Sequence, residues 1–369
     1  MENSLIAERV RARLTAIRQA NLYREPRVST GLDFSHNDYL GISSSRLLAE
    51  AGARALEILG SGSQGSRLLG GHSRMFDEAE TAIAEFFGAP AALFFSSGYL
   101  ANIALVTTLS PLFDRVLCDE LNHASLIDGV RLAKVEKTIF PHNGVSDLIT
   151  TPTDLIITEA LFSQNGDFVD QRALSAQAAF VLLDQAHSAG VFFEDGRGVK
   201  RDWSTTAMTV TFGKAFGVGG ACILCSAQIR ELLINSARPF IFSTAPPPVV
   251  PAMVMESLKI VAKESWRREA LWAMSSQVRA VLSEVDPTLQ NTDEWGQRSP
   301  IIPVRLGAAD RALRLSENMR QSGFETRAIR YPTVKVGEER IRISLSLSVS
   351  EDNALGMAKY LVELWKEFL

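Results

Sequence analysis

A chain of 369 residues, 46% hydrophobic and 8% aromatic, can bury a large core and divide into a large and a smaller domain, which argues against disorder. Its 38 basic and 42 acidic residues leave a formal charge of −4, giving no field to gather nucleic acid or an anionic membrane, so the expected partner is a small molecule. Three cysteines exclude a disulfide framework, the first thirty residues carry charges where a signal peptide has its apolar core, and no uncharged apolar run reaches the about 18 residues of a membrane span; the cytoplasm is the expected compartment.

Leu5, Ile6, Val10, Leu14 and Ile17 recur near the helical period, predicting an N-terminal amphipathic helix over 3–20. A helix near 45–59, a glycine-rich stretch at 60–71 and a helix near 73–87, stopped by Gly88-Ala-Pro, come next. Short continuous apolar runs then begin at Ala92, Arg115, Leu155, Phe180, Met208 and Cys222, separated mostly by helix-length segments. Such runs are strands buried on both faces, as in a mainly parallel sheet covered by helices. After Thr244-Ala-Pro-Pro-Pro the rhythm changes to a long helical region near 249–283, a strand at Ile301, a helix near 309–322, a strand at Arg340 and a closing helix near 351–368. The predicted organisation is an N-terminal helix and arm over 1–40, a large domain over 41–255 and a small α+β domain over 256–369.

Polar residues gather at the C-terminal ends of the strands, where open α/β sheets bind ligands: Glu159, Asp184, and Thr211 with Lys214. In Val-Leu-Leu-Asp184-Gln-Ala-His187 an apolar strand delivers a carboxylate that needs a partner once buried. A protonated pyridine nitrogen is one such partner; the cap of a neighbouring helix is an equal reading of this segment alone. In Thr211-Phe-Gly-Lys214-Ala-Phe-Gly the lysine stands among apolar residues and glycines, where partial desolvation lowers an amine's pKa and prepares it for Schiff-base formation. In Phe-Phe-Ser96-Ser97-Gly98-Tyr99 a strand turns into a helix whose first amides suit a phosphate, although Ser97 also serves as an ordinary N-cap.

Two other patterns are decoys. Gly60-Ser-Gly62-Ser-Gln-Gly65 matches G-x-G-x-x-G, but helical residues precede it and no ribose-binding acid follows on a strand, which weighs against a dinucleotide oxidoreductase. Cys222 and Cys225 form C-x-x-C on a strand, where positions three apart face opposite ways, so they read as core residues and no metal site is expected.

In order, Asn37-Asp-Tyr-Leu-Gly41, Gly60-Ser-Gly to Ser66-Arg-Leu, Ser96-Ser-Gly-Tyr-Leu-Ala-Asn102, Asn122-His-Ala-Ser125, Asp184-x-Ala-His187, Thr211-Phe-Gly-Lys214, Phe242-Ser-Thr-Ala-Pro-Pro247 and Ala328-Ile-Arg330-x-Pro-Thr333 resemble the α-oxoamine synthases over nearly the whole chain. That family has fold type I, with a mainly parallel seven-stranded sheet, and uses pyridoxal 5'-phosphate. The resemblance implies a Schiff base on Lys214, His123 stacked on the ring, Asp184 on its pyridine nitrogen and His187 on its phenolic oxygen. It places Gly98, Tyr99, Ser163 and Thr211 in the cofactor shell, with Ser243 and Thr244 reaching the phosphate of the second subunit of a homodimer. Arg342 matches the receptor of the amino-acid carboxylate, and Arg24, Asn37, Arg330 and Thr333 fall in the substrate shell.

The implied reaction is decarboxylative condensation of an amino acid with an acyl thioester. The Ser66-Arg-Leu-Leu and Ala328-Ile-Arg-x-Pro-Thr stretches favour L-alanine and a pimeloyl thioester, carried on CoA or on acyl carrier protein, over glycine with acetyl-CoA. A catalytically idle relative would be expected to lose Lys214, Asp184 or Arg342, and all three are present. Phe76, Gln185, Ser188 and the Ser163-Gln-Asn-Gly-Asp167 segment depart from the family pattern.

Overall fold

The computed structural model describes residues 4–193, 195–200, 202–290 and 299–368. Helix α1 (Leu5–Gln19) starts where the Ser4 hydroxyl accepts the Ala7 N–H, and it buries none of its residues in the single chain. An extended arm leads to strand β1 (Leu32–Asp33), then to α2 (Arg46–Leu59) and α3 (Arg74–Phe87), which ends at Gly88 in the left-handed conformation that glycine adopts without penalty.

The central layer runs β2 (Ala91–Phe95), α4 (Gly98–Leu109), β3 (Arg115–Asp119), α5 (Ala124–Ala133), β4 (Lys137–Phe140), β5 (Asp154–Glu159), α6 (Gln171–Ser175), β6 (Phe180–Asp184), β7 (Thr206–Thr211) and β8 (Ala221–Cys225). These seven strands form one sheet in the order β2-β8-β7-β6-β5-β3-β4, parallel except for β8, which runs against both neighbours. Strands β5, β6 and β7 are buried at every residue or all but one, which is why their sequences are continuous apolar runs. Alternate residues feed two cores: Phe94, Leu183 and Cys222 on one side, Phe95, Leu182 and Cys225 on the other. The two cysteines of C-x-x-C therefore lie on opposite faces, as the strand period requires.

Beyond the sheet come α7 (Ala227–Ser236), α8 (Arg238–Ile241), α9 (Val249–Lys263) and α10 (Trp266–Leu282). The helical region expected near 249–283 is thus two helices. Glu264 leaves helical geometry, and the buried Arg268 donates to Val261 O at 2.6 Å, satisfying a carbonyl at the end of α9. Strands β9 (Ile301–Arg305) and β12 (Arg340–Ser344) pair antiparallel with β11 (Arg327–Ile329) beside them, while α11 (Ala309–Gln321) and α12 (Glu351–Phe368) pack alongside. Strand β10 (Phe324–Glu325) pairs in parallel with β1. Gly31 makes that pairing possible, since a Cβ there would stand 2.2 Å from Gly323 O. Among the described residues no helix is long and apolar enough to cross a membrane.

Candidate active site

Strand register brings the polar ends together: Glu159 on β5 pairs with Asp184 on β6, which pairs with Thr209 on β7. Lys214 stands three residues past the end of β7, and its Nζ lies 2.8 Å from His187 Nε2. His187 Nδ1 in turn lies 2.6 Å from the Tyr39 hydroxyl, which also donates to Asn37 Oδ1 at 3.1 Å. With the phenolic proton on Asn37, His187 donates from Nδ1 and its Nε2 is left to accept from the lysine. Burial, then the charges of Lys214 and Arg342, hold His187 well below its ordinary pKa and keep it neutral, as that arrangement needs. Burial lowers Lys214 to about 8, against the opposing pull of Asp184 and Glu159. Tyr39 is pushed by burial to about 12.

Asp184 is buried and doubly held: Oδ1 accepts the Ala186 N–H at 2.8 Å and Oδ2 accepts from Asn102 Nδ2 at 2.6 Å. The same Asn102 nitrogen donates to Ser125 Oγ at 2.9 Å, and Ser125 Oγ lies 2.7 Å from His123 Nδ1. A single amide on α4 therefore links Asp184 to His123 through one hydroxyl. Partial desolvation lowers the pKa of His123, which still presents a face to solvent. Beside them Glu159 is raised well above the usual carboxylate range, first by burial and then by the charge of Asp184.

Across the space from Lys214, Arg342 on β12 is held by the Ser163 carbonyl (Nε to O, 2.6 Å) and by Asn37 Oδ1 (3.1 Å), which also takes the Ser344 hydroxyl. Thr211 Oγ1 bonds to Gly220 O at 3.3 Å, and a Cβ at Gly98 would stand 3.6 Å from Thr211 Cβ, filling the gap between that hydroxyl and the first turn of α4. A buried carboxylate, a lysine with a lowered pKa, an imidazole with an open face and a helix start over a threonine hydroxyl fit a planar phosphorylated pyridine.

The remaining expected residues lie further out. Tyr99 turns its hydroxyl to Asp128. Thr244 is exposed and bridges Ser66, Ser243 is half-buried, and no hydrogen bond joins either to the Lys214 cluster among the described residues. Arg24 and Arg330 share a cavity of about 550 Å³ with Tyr23, Arg27 and Arg327, and Arg330 donates to the Asn21 and Tyr23 carbonyls. Thr333 lines a different cavity of about 230 Å³, with Asn122, Phe162 and Gln164. Glu159 is one of the polar strand-end residues expected at the site, whereas Tyr39, Asn102 and Ser125 join it without any individual expectation. These three stand inside the motifs quoted above, where their residue types alone mark them.

Two departures from the family pattern answer each other. Gln185 brackets Val199, accepting its N–H at 2.7 Å and donating to its carbonyl at 3.0 Å, and Ser188 Oγ bonds to Gln185 Oε1 at 3.1 Å. Phe76 is fully buried beneath the Arg67 guanidinium, 4.4 Å from its ring centre. Asn165 Oδ1 receives Arg340 at 2.6 Å.

Residues 29–356 match the aminotransferase class I and II family profile. The chain is 36% identical to 8-amino-7-oxononanoate synthase of Stutzerimonas stutzeri, covering 96% of each, and 38% identical to a putative 8-amino-7-oxononanoate synthase of Geobacillus kaustophilus, covering 87% of this chain and 85% of that one. Among solved structures it overlays on serine palmitoyltransferase of Sphingomonas wittichii (TM-score 0.86, 26% identity, 98% and 99% covered) and on 8-amino-7-oxononanoate synthase of Francisella tularensis (TM-score 0.75, 28% identity, 92% and 99% covered). Fold, strand-end cluster and relatives agree: the chain belongs to the class I and II aminotransferase family, in its 8-amino-7-oxononanoate synthase branch.

Proposed function

We propose that this enzyme condenses L-alanine with a pimeloyl thioester, releasing carbon dioxide and the free thiol and forming 8-amino-7-oxononanoate on the path to biotin. The observation that carries the reading is the convergence of Lys214, His187 and Asp184 on one space with Arg342 opposite. Asp184, His123, His187, Thr211, Ser163 and the Gly98–Tyr99 turn would hold pyridoxal phosphate, with Ser243 and Thr244 completing a neighbouring site in a homodimer. When bound, that cofactor supplies an electron sink for the carbanion at the amino acid's Cα.

The chain's own groups do the rest. The planar fork of Arg342 suits bidentate capture of the amino-acid carboxylate. Lys214, with its pKa near 8, takes the Cα proton at neutral pH, and the neutral His187 keeps the amine aimed through Nε2. Bond formation between Cα and the acyl carbonyl carbon expels the thiol. The carboxylate then leaves as carbon dioxide, and Lys214 returns a proton to Cα. Arg24, Arg330 and Thr333 line the approach of the acyl thioester, whether its arm belongs to CoA or to acyl carrier protein.

The test is to titrate the cofactor-loaded protein with L-alanine, glycine and L-serine, following its visible absorption, and then to assay condensation with pimeloyl-CoA. Preferential response to L-alanine with product formation is the expected outcome. Preference for glycine with acetyl-CoA would move the assignment to the glycine C-acetyltransferase reaction.

A further inference from the structure

The mechanism leaves unused a histidine lodged between two carboxylates. His142 follows β4; its Nδ1 lies 3.1 Å from Asp119 Oδ1 and its Nε2 lies 2.8 Å from Asp167 Oδ2. With a carboxylate at each ring nitrogen, both contacts are satisfied only when both carry protons, that is, by the imidazolium. Asp119 is fully buried and also takes the Leu121 N–H at 2.9 Å and the Asn143 N–H at 3.1 Å. The Phe162 ring meets the imidazole edge-on, 4.4 Å between centres. Among the described residues the other charged groups lining the neighbouring cavity are Glu120, which accepts the His142 backbone N–H at 3.1 Å, Lys335, paired with Glu120 at 2.8 Å, Arg340, anchored to Asn165, and Glu338, 3.4 Å from Arg340.

The two carboxylates adjoin two walls of the 230 Å³ cavity that Thr333 lines: Glu120, Leu121 and Asn122 follow Asp119, and Phe162, Gln164 and Asn165 precede Asp167. The second wall is a closed loop, with the Phe162 N–H on Asp167 O and the Gly166 N–H on Phe162 O, both at 2.9 Å. This loop presents the Ser163 carbonyl to Arg342. Burial opposes a charge on His142, but the hydrogen bonds and charges of Asp119 and Asp167 outweigh it and raise its pKa to about 9.

We propose that His142 is a positioning residue: as a cation it ties Asp119 to Asp167, fixes the loop that carries Ser163, and through that carbonyl sets the Arg342 guanidinium for the substrate carboxylate. The proposal rests on the reading of Arg342 as carboxylate receptor.

The test uses the cofactor-loaded enzyme and the variants His142→Ala, His142→Lys and Asp167→Asn, measuring amino-acid affinity by the visible band, kcat and KM, and cofactor affinity. His142→Ala is expected to weaken L-alanine about tenfold, the scale of one charge-assisted hydrogen bond, with cofactor affinity within about twofold. His142→Lys, which restores the cation, is expected to recover most of that loss. Asp167→Asn cuts one arm of the tie at a half-exposed position and carries the test if His142→Ala fails to fold. Unchanged amino-acid affinity in His142→Ala and Asp167→Asn would overturn the proposal, as would a parallel loss of cofactor affinity, the mark of general damage. If the wild type prefers another amino acid, the same comparison is made with that one, so an error in the substrate leaves this test intact.

Discussion

Replacing Asn102 by alanine isolates the link between the two ends of the cofactor site. The substitution removes the donor 2.6 Å from Asp184 Oδ2 and, among the described residues, leaves that buried carboxylate with only the Ala186 amide on its other oxygen. A hydrogen bond to a charged group is worth about 1.5–3 kcal/mol, so pyridoxal phosphate should bind roughly 10- to 150-fold more weakly. Ser125→Ala spares the Asn102–Asp184 contact and cuts only the branch toward His123. Its expected loss is about 0.5–1.5 kcal/mol, the range for a neutral pair. Asn102→Asp keeps the volume and sets a second carboxyl beside Asp184, which pushes one of the two to hold a proton and also weakens the cofactor. Titrating apo-protein with pyridoxal phosphate, read by visible absorption and by intrinsic fluorescence, gives all three constants. Binding by Asn102→Ala within twofold of wild type would refute the argument that this amide holds Asp184 in its working state.

The pKa of about 8 for Lys214 predicts that the rate of reconstitution with pyridoxal phosphate rises with pH through that value, because only the neutral amine attacks the aldehyde; a rate flat between pH 7 and 9 would contradict it. The unfolded lysine keeps its proton to about 10.5, so between 8 and 10.5 the unfolded state binds more protons, and the apo-protein should gain stability with rising pH relative to Lys214→Met, measured by urea unfolding. Arg342→Lys trades a fork for a point charge and strands the Ser163 carbonyl; KM for L-alanine should rise about tenfold or more in steady-state assays. Glu80 is buried between Arg67 at 2.5 Å and Arg230 at 2.8 Å and also accepts the Phe94 N–H, so Glu80→Leu should cost about 3–5 kcal/mol in denaturant unfolding by leaving the buried Arg67 charge without a carboxylate.

Continuous apolar runs made the central sheet readable, because strands covered on both faces have no polar period to hide them. Strand β4 (Lys137–Phe140) escaped: it lies at the sheet edge with three of its four residues exposed, and its sequence carries no apolar run. The two-residue strands β1 and β10 escaped for another reason, since their pairing joins segments nearly 300 residues apart and no local pattern records it. At the site, Asp184 and Lys214 stood out because a charge just past a buried strand needs a purpose. Tyr39 and Asn102 did not, because their partners, His187 and Asp184, lie 148 and 82 residues away.

The parallel pairing of β1 with β10 stitches the start of the chain to its far end. Leu32 and Asp33 align with Phe324 and Glu325, the Ser344 N–H reaches Phe34 O, and the Leu347 N–H reaches Tyr39 O. The layer that carries Arg342 is therefore bound by main-chain hydrogen bonds to the N-terminal segment that carries Tyr39. The arginine expected to meet the substrate carboxylate and the phenol beside His187 are thus placed by one set of main-chain contacts, although they lie about 300 residues apart in the chain.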